Sequence, residues 1–399
     1  MTNIPCNSDS GIQVFKSDFS QLDRSDIEAQ AVAEVLQELG SNPATAARPR
    51  TVPNDKWLLS AATQKLIRLG DSEWAVAVAQ ALHRIDPEYL PKRLPIIAVE
   101  DIGIADIELC AATLHLCGDK KFRGPIEAEY QSAVLRTLVR RLAEAVKSRA
   151  ACDAFCLGQS HPDTPRMMTE LLAQNTDGLV AIASDRRRSM LKRINALRVL
   201  AGMSVREGGQ YRTLSPCQPD ALRQVADRCG VPPIITYLTG QARRTASLAA
   251  MLPIACELLD TGTETTVATQ QDFPSARKKI KGVPACAFDM FSEVGRAAIA
   301  QFMTDAPRVK EFITAKAQTR SPARLLAMAL FHTESSRLHR YLASDSMTQL
   351  TQTVEAEEMR EHGMVDPDDR HSLYALLEGQ ANVLYQARRT TASKLLGVR

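Results

Sequence analysis

The chain of 399 residues is long enough for two or three domains with a sizeable buried core. Aromatic residues make up only 5% of it, and Ala, Leu, Arg, Gln and Glu are abundant, which favours helices over sheets and predicts an all-α, multi-helix fold. The formal net charge of +3 is too small to indicate nucleic-acid binding by overall charge, so any such binding must come from local clusters.

Two further features bear on where the chain works. The nine cysteines are an odd number with irregular spacing, and residues 1–18 are polar rather than a secretory leader, which predicts a reducing cytoplasm. The longest apolar stretch, 248–259, is interrupted by Pro253 and is too short to span a bilayer, so no membrane partner is expected.

In chain order the pattern predicts four parts. They are an N-terminal extension and linker (1–53), a helical module (54–160), a second helical region with a basic helix (161–272) and a C-terminal helical region (273–399). The first part contains a short amphipathic helix at 26–39, which Gly40 ends before a Pro-rich linker.

The module opens with residues 57–106, where apolar residues recur at helical spacing. This spacing predicts two amphipathic helices that meet across Gly70-Asp71, and a third helix that starts at Asp86-Pro87 and ends at Gly103. Short connections make them an antiparallel array. The predicted self-association surface is the apolar face of this array, although the same residues also fit a buried core: Trp74, Ala77, Leu82, Leu94 and Ile97.

The same stretch carries two longer motifs. They are S-A…K-x-I-R-x-G-D at 60–71 and D-P…R-L-x-I-I-A-x-E-D-I-G-x-A-D at 86–106. These residues resemble the helical C-terminal region of the replication-associated AAA+ ATPases of the MgsA/RarA type, whose eukaryotic relative is the Werner-helicase-interacting protein. A fainter echo lies at 145–154, where Val146 replaces the proline of the family's Pro-Lys-Ser turn.

The resemblance implies an all-α module related to clamp-loader collars, which in that family builds the oligomer and sits near DNA. The family's ATPase domain precedes this module, but only 56 residues precede Trp57 here. No G-x-x-x-x-G-K-[ST] phosphate loop occurs in the chain. We therefore expect the module to act without an ATPase.

Further helices are predicted beyond the module's opening. They lie at 126–151, near 166–175, at 186–203, near 219–229, at 232–259 and within a last block at 288–397. The intervening stretches 206–219 and 260–274 are predicted to be loops. In the last block, helices are expected to start at Pro307, Pro322 and Pro367.

Two basic clusters are candidate phosphate-binding sites, because each cation near a nucleic acid releases condensed counterions. The first is predicted on the opening two turns of a helix and contains Arg186, Arg187, Arg188, Lys192 and Arg193. The second lies in or beside a loop and contains Arg277, Lys278, Lys279 and Lys281. The alternative is a solvated face paired with nearby acids. No aromatic residue interleaves with either cluster, so base stacking is not indicated.

Three other patterns allow a chemical interpretation. Leu-Asp-Thr-Gly at 259–262 resembles the loop of retroviral-type aspartic proteases, with Asp260 as the acid, but its surroundings are predicted to be helical. Cys152, Cys156 and His161 lack the second pair that would complete a zinc site, so no metal and no cofactor are expected. Glu100-Asp101 fits charges that pair at a helix end better than a catalytic acid and base.

The functional prediction is a non-enzymatic, oligomer-forming, DNA-associated accessory protein of replication, recombination/repair or a mobile element. The alternative is a phage- or plasmid-type adaptor or inhibitor that engages a host replication or repair protein. A hydrolase that uses Asp260 is a lesser alternative.

Overall fold

The computed structural model describes residues 24–41, 52–118, 128–202, 204–207, 210–213, 216–259 and 265–397. Within these ranges nineteen α-helices build the molecule, and the strands form only three short antiparallel pairs, so the predicted all-α class is confirmed. No helix among these residues is long and apolar enough to cross a bilayer.

The helices are numbered in chain order. Helices α1 to α7 are Arg24–Ser41, Lys56–Arg68, Ser72–Ile85, Tyr89–Ile97, Ile107–Gly118, Ala128–Glu144 and Ala150–Ser160. Helices α8 to α13 are Thr164–Leu172, Thr176–Ser184, Met190–Leu200, Pro219–Cys229, Pro233–Thr239 and Leu252–Glu257. Helices α14 to α19 are Glu293–Asp305, Pro307–Lys316, Pro322–Leu330, Asp345–Glu361, Pro367–Gly379 and Ala381–Leu395.

The six strands of the described residues lie in the segments between helices and form three two-stranded antiparallel pairs. The pairs are β1 (Ser204–Glu207) with β2 (Gln210–Thr213), β3 (Thr266–Thr269) with β6 (Arg340–Ala343), and β4 (Lys279–Ile280) with β5 (Val283–Pro284). In the second pair Thr266 lies opposite Ala343, so a strand from the predicted loop 260–274 is joined to one from the C-terminal region.

Local capping explains where several helices begin. Asp55 accepts hydrogen bonds from the backbone N–H groups of Trp57 and Leu58, and Asp71 accepts one from Trp74. These carboxylates satisfy donors that the first helical turn leaves unpaired. The predicted starts at Pro307, Pro322 and Pro367 are confirmed, because each proline occupies the first turn of its helix.

Two α-helices run directly into π-helical turns. Helix α4 continues as Ala98–Ile102, and α16 continues as Phe331–Ser335. The first turn stops at Gly103, whose φ is +49°. A side chain there would bring its Cβ to 3.0 Å from the carbonyl oxygen of Ser148. Glycine is therefore required both by the backbone angle and by the close approach of the next segment.

The predicted long helix at 126–151 is wrong after Glu144, where α6 ends. The backbone N–H of Lys147 donates to the carbonyl of Arg340 at 3.0 Å, and that of Leu342 donates to the carbonyl of Lys147 at 2.9 Å. A bridge to β6 thus replaces the helical hydrogen bonds, a long-range pairing that helical periodicity does not reveal.

The prediction also fails at 186–203 and 232–259. The first range becomes a turn followed by α10, which starts only after Ser189 caps it at the backbone N–H of Lys192. The second is interrupted at Ala246 and Ser247, which both have positive φ angles. An L-residue side chain disfavours such angles, so the helix cannot continue through them.

Two hydrophobic cores hold the described residues together. The larger runs from α1 through α13 and includes Val283 of β5 and Leu350 of α17. The smaller lies among α14 to α19 and takes in Leu69, which follows α2. Residues of the predicted module 54–160 and of the region 161–272 therefore contribute to one core.

Candidate nucleic-acid interface

The segments that carry the family resemblance meet at Arg68, the buried last residue of α2. Its Nε donates to Oδ1 of Asp101 at 2.7 Å, and its Nη2 donates to Oε1 of Glu100 at 2.9 Å. Its Nη1 donates to the carbonyl oxygen of Ser335 at 2.7 Å. One guanidinium group thus joins both π-helical turns to α2.

Asp101 is the fully buried acid of this network. Burial would raise its pKa, but the charges of Arg68 and Arg149, with hydrogen bonds from Arg68 and Gln64, outweigh burial and lower the pKa below its ordinary value. The carboxylate therefore stays ionised and engaged on both oxygens. This geometry supports the interpretation of Glu100-Asp101 as charges that pair structurally.

The fainter echo at 145–154 joins the same place. The backbone N–H of Ser148 donates to the carbonyl of Asp101 at 2.9 Å. Arg149 Nη1 lies 3.4 Å from Oδ1 of Asp101 and 3.8 Å from Oε1 of Glu100. All three resemblance segments are therefore in contact, and their shared charged residues maintain the helical array.

The predicted self-association surface is wrong. Leu82, Leu94 and Ile97 have no exposed area, and Ala77 is 8% exposed. Trp74 is partly buried beneath Lys279, whose Nζ lies 4.6 Å from the ring centroid. An apolar helix face has the same spacing whether it meets another helix of its own chain or a second copy, so the sequence could not separate the two.

The first basic cluster loses one predicted member to the interior. Arg193 is 4% exposed and forms a two-point contact with Glu257, at 2.7 Å from Nη1 to Oε2 and 2.6 Å from Nη2 to Oε1. Its Nε donates to the carbonyl of Ala183. The prediction of Arg193 as a phosphate ligand is therefore wrong, because every donor edge faces protein.

The other four cations of this cluster are all close to carboxylates. Arg187, whose side chain is 91% exposed, donates through Nε to Oδ1 of Asp185 at 2.9 Å, and Arg188 lies 3.6 Å from the same acid. The remaining two pairs join Arg186 to Glu257 at 3.4 Å and Lys192 to Glu170 at 3.2 Å. This arrangement favours the alternative of a solvated, acid-paired face.

Two members of the second cluster contact the segment between α2 and α3. Arg277 pairs with Asp272 and donates through Nη2 to the carbonyl of Leu69 at 2.7 Å. Lys279 Nζ lies 2.9 Å from Oδ2 of Asp71. Lys281 is half-buried at a φ of +53°. Arg277 and Lys279 therefore hold the C-terminal region against the end of α2 and the start of α3.

Lys278 differs from its neighbours because it belongs to a surface that we name the Tyr385 patch, formed by Lys278, Asn382, Tyr385 and Arg389. The Lys278 Nζ lies 5.0 Å and the Arg389 guanidinium carbon 5.9 Å from the centroid of the Tyr385 ring. Lys278 also donates to Oδ1 of Asn382 at 3.1 Å. Both cations are exposed, and among the described residues neither forms an ion pair.

Sequence reasoning missed Tyr385 and Arg389 because they lie on α19, far along the chain from Lys278. A partial signal was present, since a tyrosine and an arginine four residues apart share one helix face. The structure thus supplies the aromatic residue that neither basic cluster has in the sequence. Proteins that bind single-stranded nucleic acid commonly combine cations with an aromatic face on which bases stack.

A cavity of about 220 Å³ lies beside the buried network, between α7, the second π-helical turn and α17. Asp153 in its wall accepts from Thr351 at 2.6 Å, and burial raises the pKa of this acid. His332 Nε2 lies 3.0 Å from Oε2 of Glu358. The lining mixes both signs of charge and so does not select a class of ligand.

The remaining chemical alternatives concern Asp260 and the metal pattern. Asp260 lies outside the described residues. Cys152 accepts from Nη2 of Arg149 at 3.2 Å, and Cys156 has a raised pKa because of its hydrogen bond with Cys152 and its burial. In the parts of the chain that the structure describes, no three histidine, cysteine or acidic side chains come together as a metal site.

Comparison with protein-family models, curated proteins and solved structures finds no significant match for this chain. The resemblance of residues 57–106 to the MgsA/RarA-type ATPases therefore stays a prediction from the residues quoted above. The candidate interface depends on the geometry of this chain's own side chains.

Proposed function

We propose that this chain is a non-enzymatic, DNA-associated accessory protein of replication, recombination/repair or a mobile element, and that it acts in the cytoplasm by binding single-stranded nucleic acid through the Tyr385 patch. One observation carries the proposal: Lys278 and Arg389 flank a partly exposed aromatic ring and lack carboxylate partners among the described residues. The cations attract phosphates, and the ring can stack on an unpaired base.

The resemblance to a collar-like module supports the same class of function. Lys279 and Arg277 fasten the loop that carries Lys278 to Asp71 and Leu69, so the patch is held in place by the motif-bearing segment. Because the patch is small, we expect weak, salt-dependent binding with little sequence preference. The paired cations at 186–188 contribute less, since Asp185 and Glu257 already neutralise part of their charge.

Fluorescence anisotropy with labelled oligothymidine and with a duplex of equal length tests this function at low salt. The wild-type chain should prefer the single strand, and K278E/R389E should weaken binding by at least about tenfold. Y385A should weaken it by about 1–3 kcal/mol, whereas Y385F keeps the ring and should bind as the wild type does. R308E/K310E is the matched control, because it makes the same charge change on α15.

Two results would contradict the proposal. One is the absence of binding to either oligonucleotide at low salt. The other is binding in which K278E/R389E and R308E/K310E have the same effect, since that would show only a response to net charge. Circular dichroism of each variant separates a lost contact from a lost fold.

We propose that self-association occurs through a surface that contains the aromatic pair Trp57 and Tyr89. Trp57 is 59% exposed and packs edge-on against Tyr89 at 5.9 Å between centroids. Ile85 is 40% exposed and is brought to the same side by the ion pair between Lys56 and Asp86, the chain neighbours of Trp57 and Ile85. Exposed apolar side chains that lie together are typical of protein contacts. Light scattering should show a concentration-dependent oligomer that W57A/I85S reduces to a monomer, and a wild-type chain that stays monomeric at high concentration would contradict it.

A further inference from the structure

A second surface lies away from the Tyr385 patch, in a groove between α7–α8 on one side and α14, α16 and α17 on the other. Its volume is about 1140 Å³, above the range of about 300–1,000 Å³ that is usual for small-molecule pockets. Six large apolar side chains line it: Met168, Leu172, Met290, Phe291, Ile299 and Met328. A groove of this size and composition suits a segment of polypeptide.

Two of the apolar side chains in the lining are exposed, whereas Met168 and Ile299 are buried. Phe291 is 59% and Leu172 is 44% exposed. The Phe291 ring is held edge-on to Phe331 at 5.8 Å between centroids, and therefore has a defined position before any partner binds. Met290 and Met328 are partly exposed and add side chains that adapt to the shape of an apolar partner.

The groove has charges of both signs, but its exposed cations outnumber its exposed acids. Glu358 of α17 pairs with His332, and Glu361 of α17 is the exposed acid of the lining. Arg296 on α14 and Arg324 on α16 are both exposed, and neither forms an ion pair among the described residues. Arg296 donates through Nη1 to the carbonyl of Met290 at 3.1 Å, which keeps the guanidinium beside the apolar lining. Two available guanidinium groups next to an apolar surface complement a partner that is apolar on one face and acidic at its edge.

The walls indicate which form of peptide fits. The lining residues belong to helices and the turns that join them, so no strand edge offers backbone hydrogen bonds to an extended peptide. A helix satisfies its own backbone and needs only side-chain contacts, which is how amphipathic helices bind apolar grooves.

We propose that this groove docks an amphipathic helix of a partner protein, with apolar side chains at i, i+3, i+4 and i+7 against Phe291 and the methionines and acidic side chains beside Arg296 and Arg324. This partner site is separate from the proposed nucleic-acid function. Binding at the groove should not depend on Lys278 or Tyr385, so the two surfaces can be tested independently.

The test uses two fluorescein-labelled helical peptides with the same apolar face, one flanked by Glu and Asp and the other by Lys. The full chain should bind the acidic peptide at least about tenfold more tightly than the Lys-flanked peptide or a scrambled acidic peptide. R296E/R324E should reverse this preference, and F291A should weaken both peptides. R308E/K310E on α15 is the control with an equal charge change and should leave the preference intact.

Reversal of the preference by R296E/R324E is decisive, because a variant that had merely unfolded would bind neither peptide. The proposal is overturned if the scrambled peptide binds as well as the acidic one, or if R296E/R324E and the control give the same result. It is also overturned if light scattering shows a dimer that F291A dissolves, since a second copy of the chain would then occupy the groove.

Discussion

The turn at 185–189 and the Tyr385 patch are similarly basic but differ in their neighbours. In the turn, Asp185 and Glu257 lie within contact of Arg186, Arg187 and Arg188. In the patch, an amide and a phenol ring take the place of carboxylates beside Lys278. The difference teaches that the density of cations along a sequence does not measure the charge available to a ligand, because nearby acids determine how much of it remains.

The largest effect on stability is expected when the acid of a buried ion pair is removed. Glu257→Ala leaves the buried Arg193 guanidinium without its carboxylate, so we expect a loss of about 3–5 kcal/mol in the free energy of unfolding. Urea denaturation measures it. Glu170→Ala removes the half-exposed partner of Lys192 and should cost no more than about 1 kcal/mol. Equal losses in the two variants would contradict the distinction between buried and exposed pairs.

Lys147 extends the comparison to a cation that is buried without a close acid. Its Nζ donates to the carbonyls of Ala143 and Ala145, and burial lowers its pKa to about 8. Below pH 8 the ammonium is charged in both states and its burial cost is fully present. Between pH 8 and 10.5 the folded state has lost a proton that the unfolded state keeps, so this residue makes stability rise with pH.

The rise attributable to Lys147 should approach about 3 kcal/mol across that window. Lys147→Met should lack it, and urea unfolding of both proteins at pH 7.5 and 10 measures the difference. Buried thiols such as Cys286, whose pKa burial raises to about 12, lower stability in the same window but do so equally in both proteins. An unchanged difference between wild type and variant would show that Lys147 is not desolvated.

A carboxylate introduced into the Tyr385 patch should neutralise part of its charge, as Asp185 and Glu257 do in the turn. Asn382→Asp places an acid on the atom that now accepts from Lys278. We expect single-strand affinity to fall about threefold, with a shallower salt dependence because one fewer phosphate contact forms. Asn382→Ala is the control, since it removes the hydrogen bond without adding charge. If both variants bind alike, the missing acid is not what distinguishes the patch.

The smallest effect is expected from the reverse change. Asp185→Asn keeps an oxygen for the backbone N–H of Arg187 but releases the charges of Arg187 and Arg188, so oligonucleotide affinity should rise about twofold. Asp177→Asn makes the same change in net charge on α9, away from these arginines, and should leave affinity nearly unaltered. Anisotropy titrations of both variants give the answer. An equal rise in affinity for the two variants would mean that binding responds only to the net charge of the protein.

Local parts of the fold were predictable from the sequence because their causes are local. The all-α class, the cap at Asp71 and the proline starts of α15, α16 and α18 each depend on residues within one or two turns. The turn around Gly103 also follows from the sequence, since a glycine after a helical run allows the positive φ angle at which the helix stops.

The failures share a different cause. Helix α6 ends early because Lys147 pairs with β6, and Arg193 is buried because Glu257 lies opposite it. Neither partner is near in sequence, and helical periodicity contains no information about such pairings. The same holds for the candidate site, where sequence supplied Lys278 but not the ring of Tyr385.

Arg68 donates hydrogen bonds to both Asp101 and Ser335, and so links the motif-bearing segment to the C-terminal region. A fragment cut out around residues 54–160 would lose the Ser335 carbonyl, the β6 partner of Lys147 and the Asp289 carboxylate that lies 2.5 Å from buried Lys65. Each loss strands a charged or polar group inside an apolar core. The motif-bearing segment should therefore exchange its amide protons in concert with the C-terminal helices, as one cooperative unit.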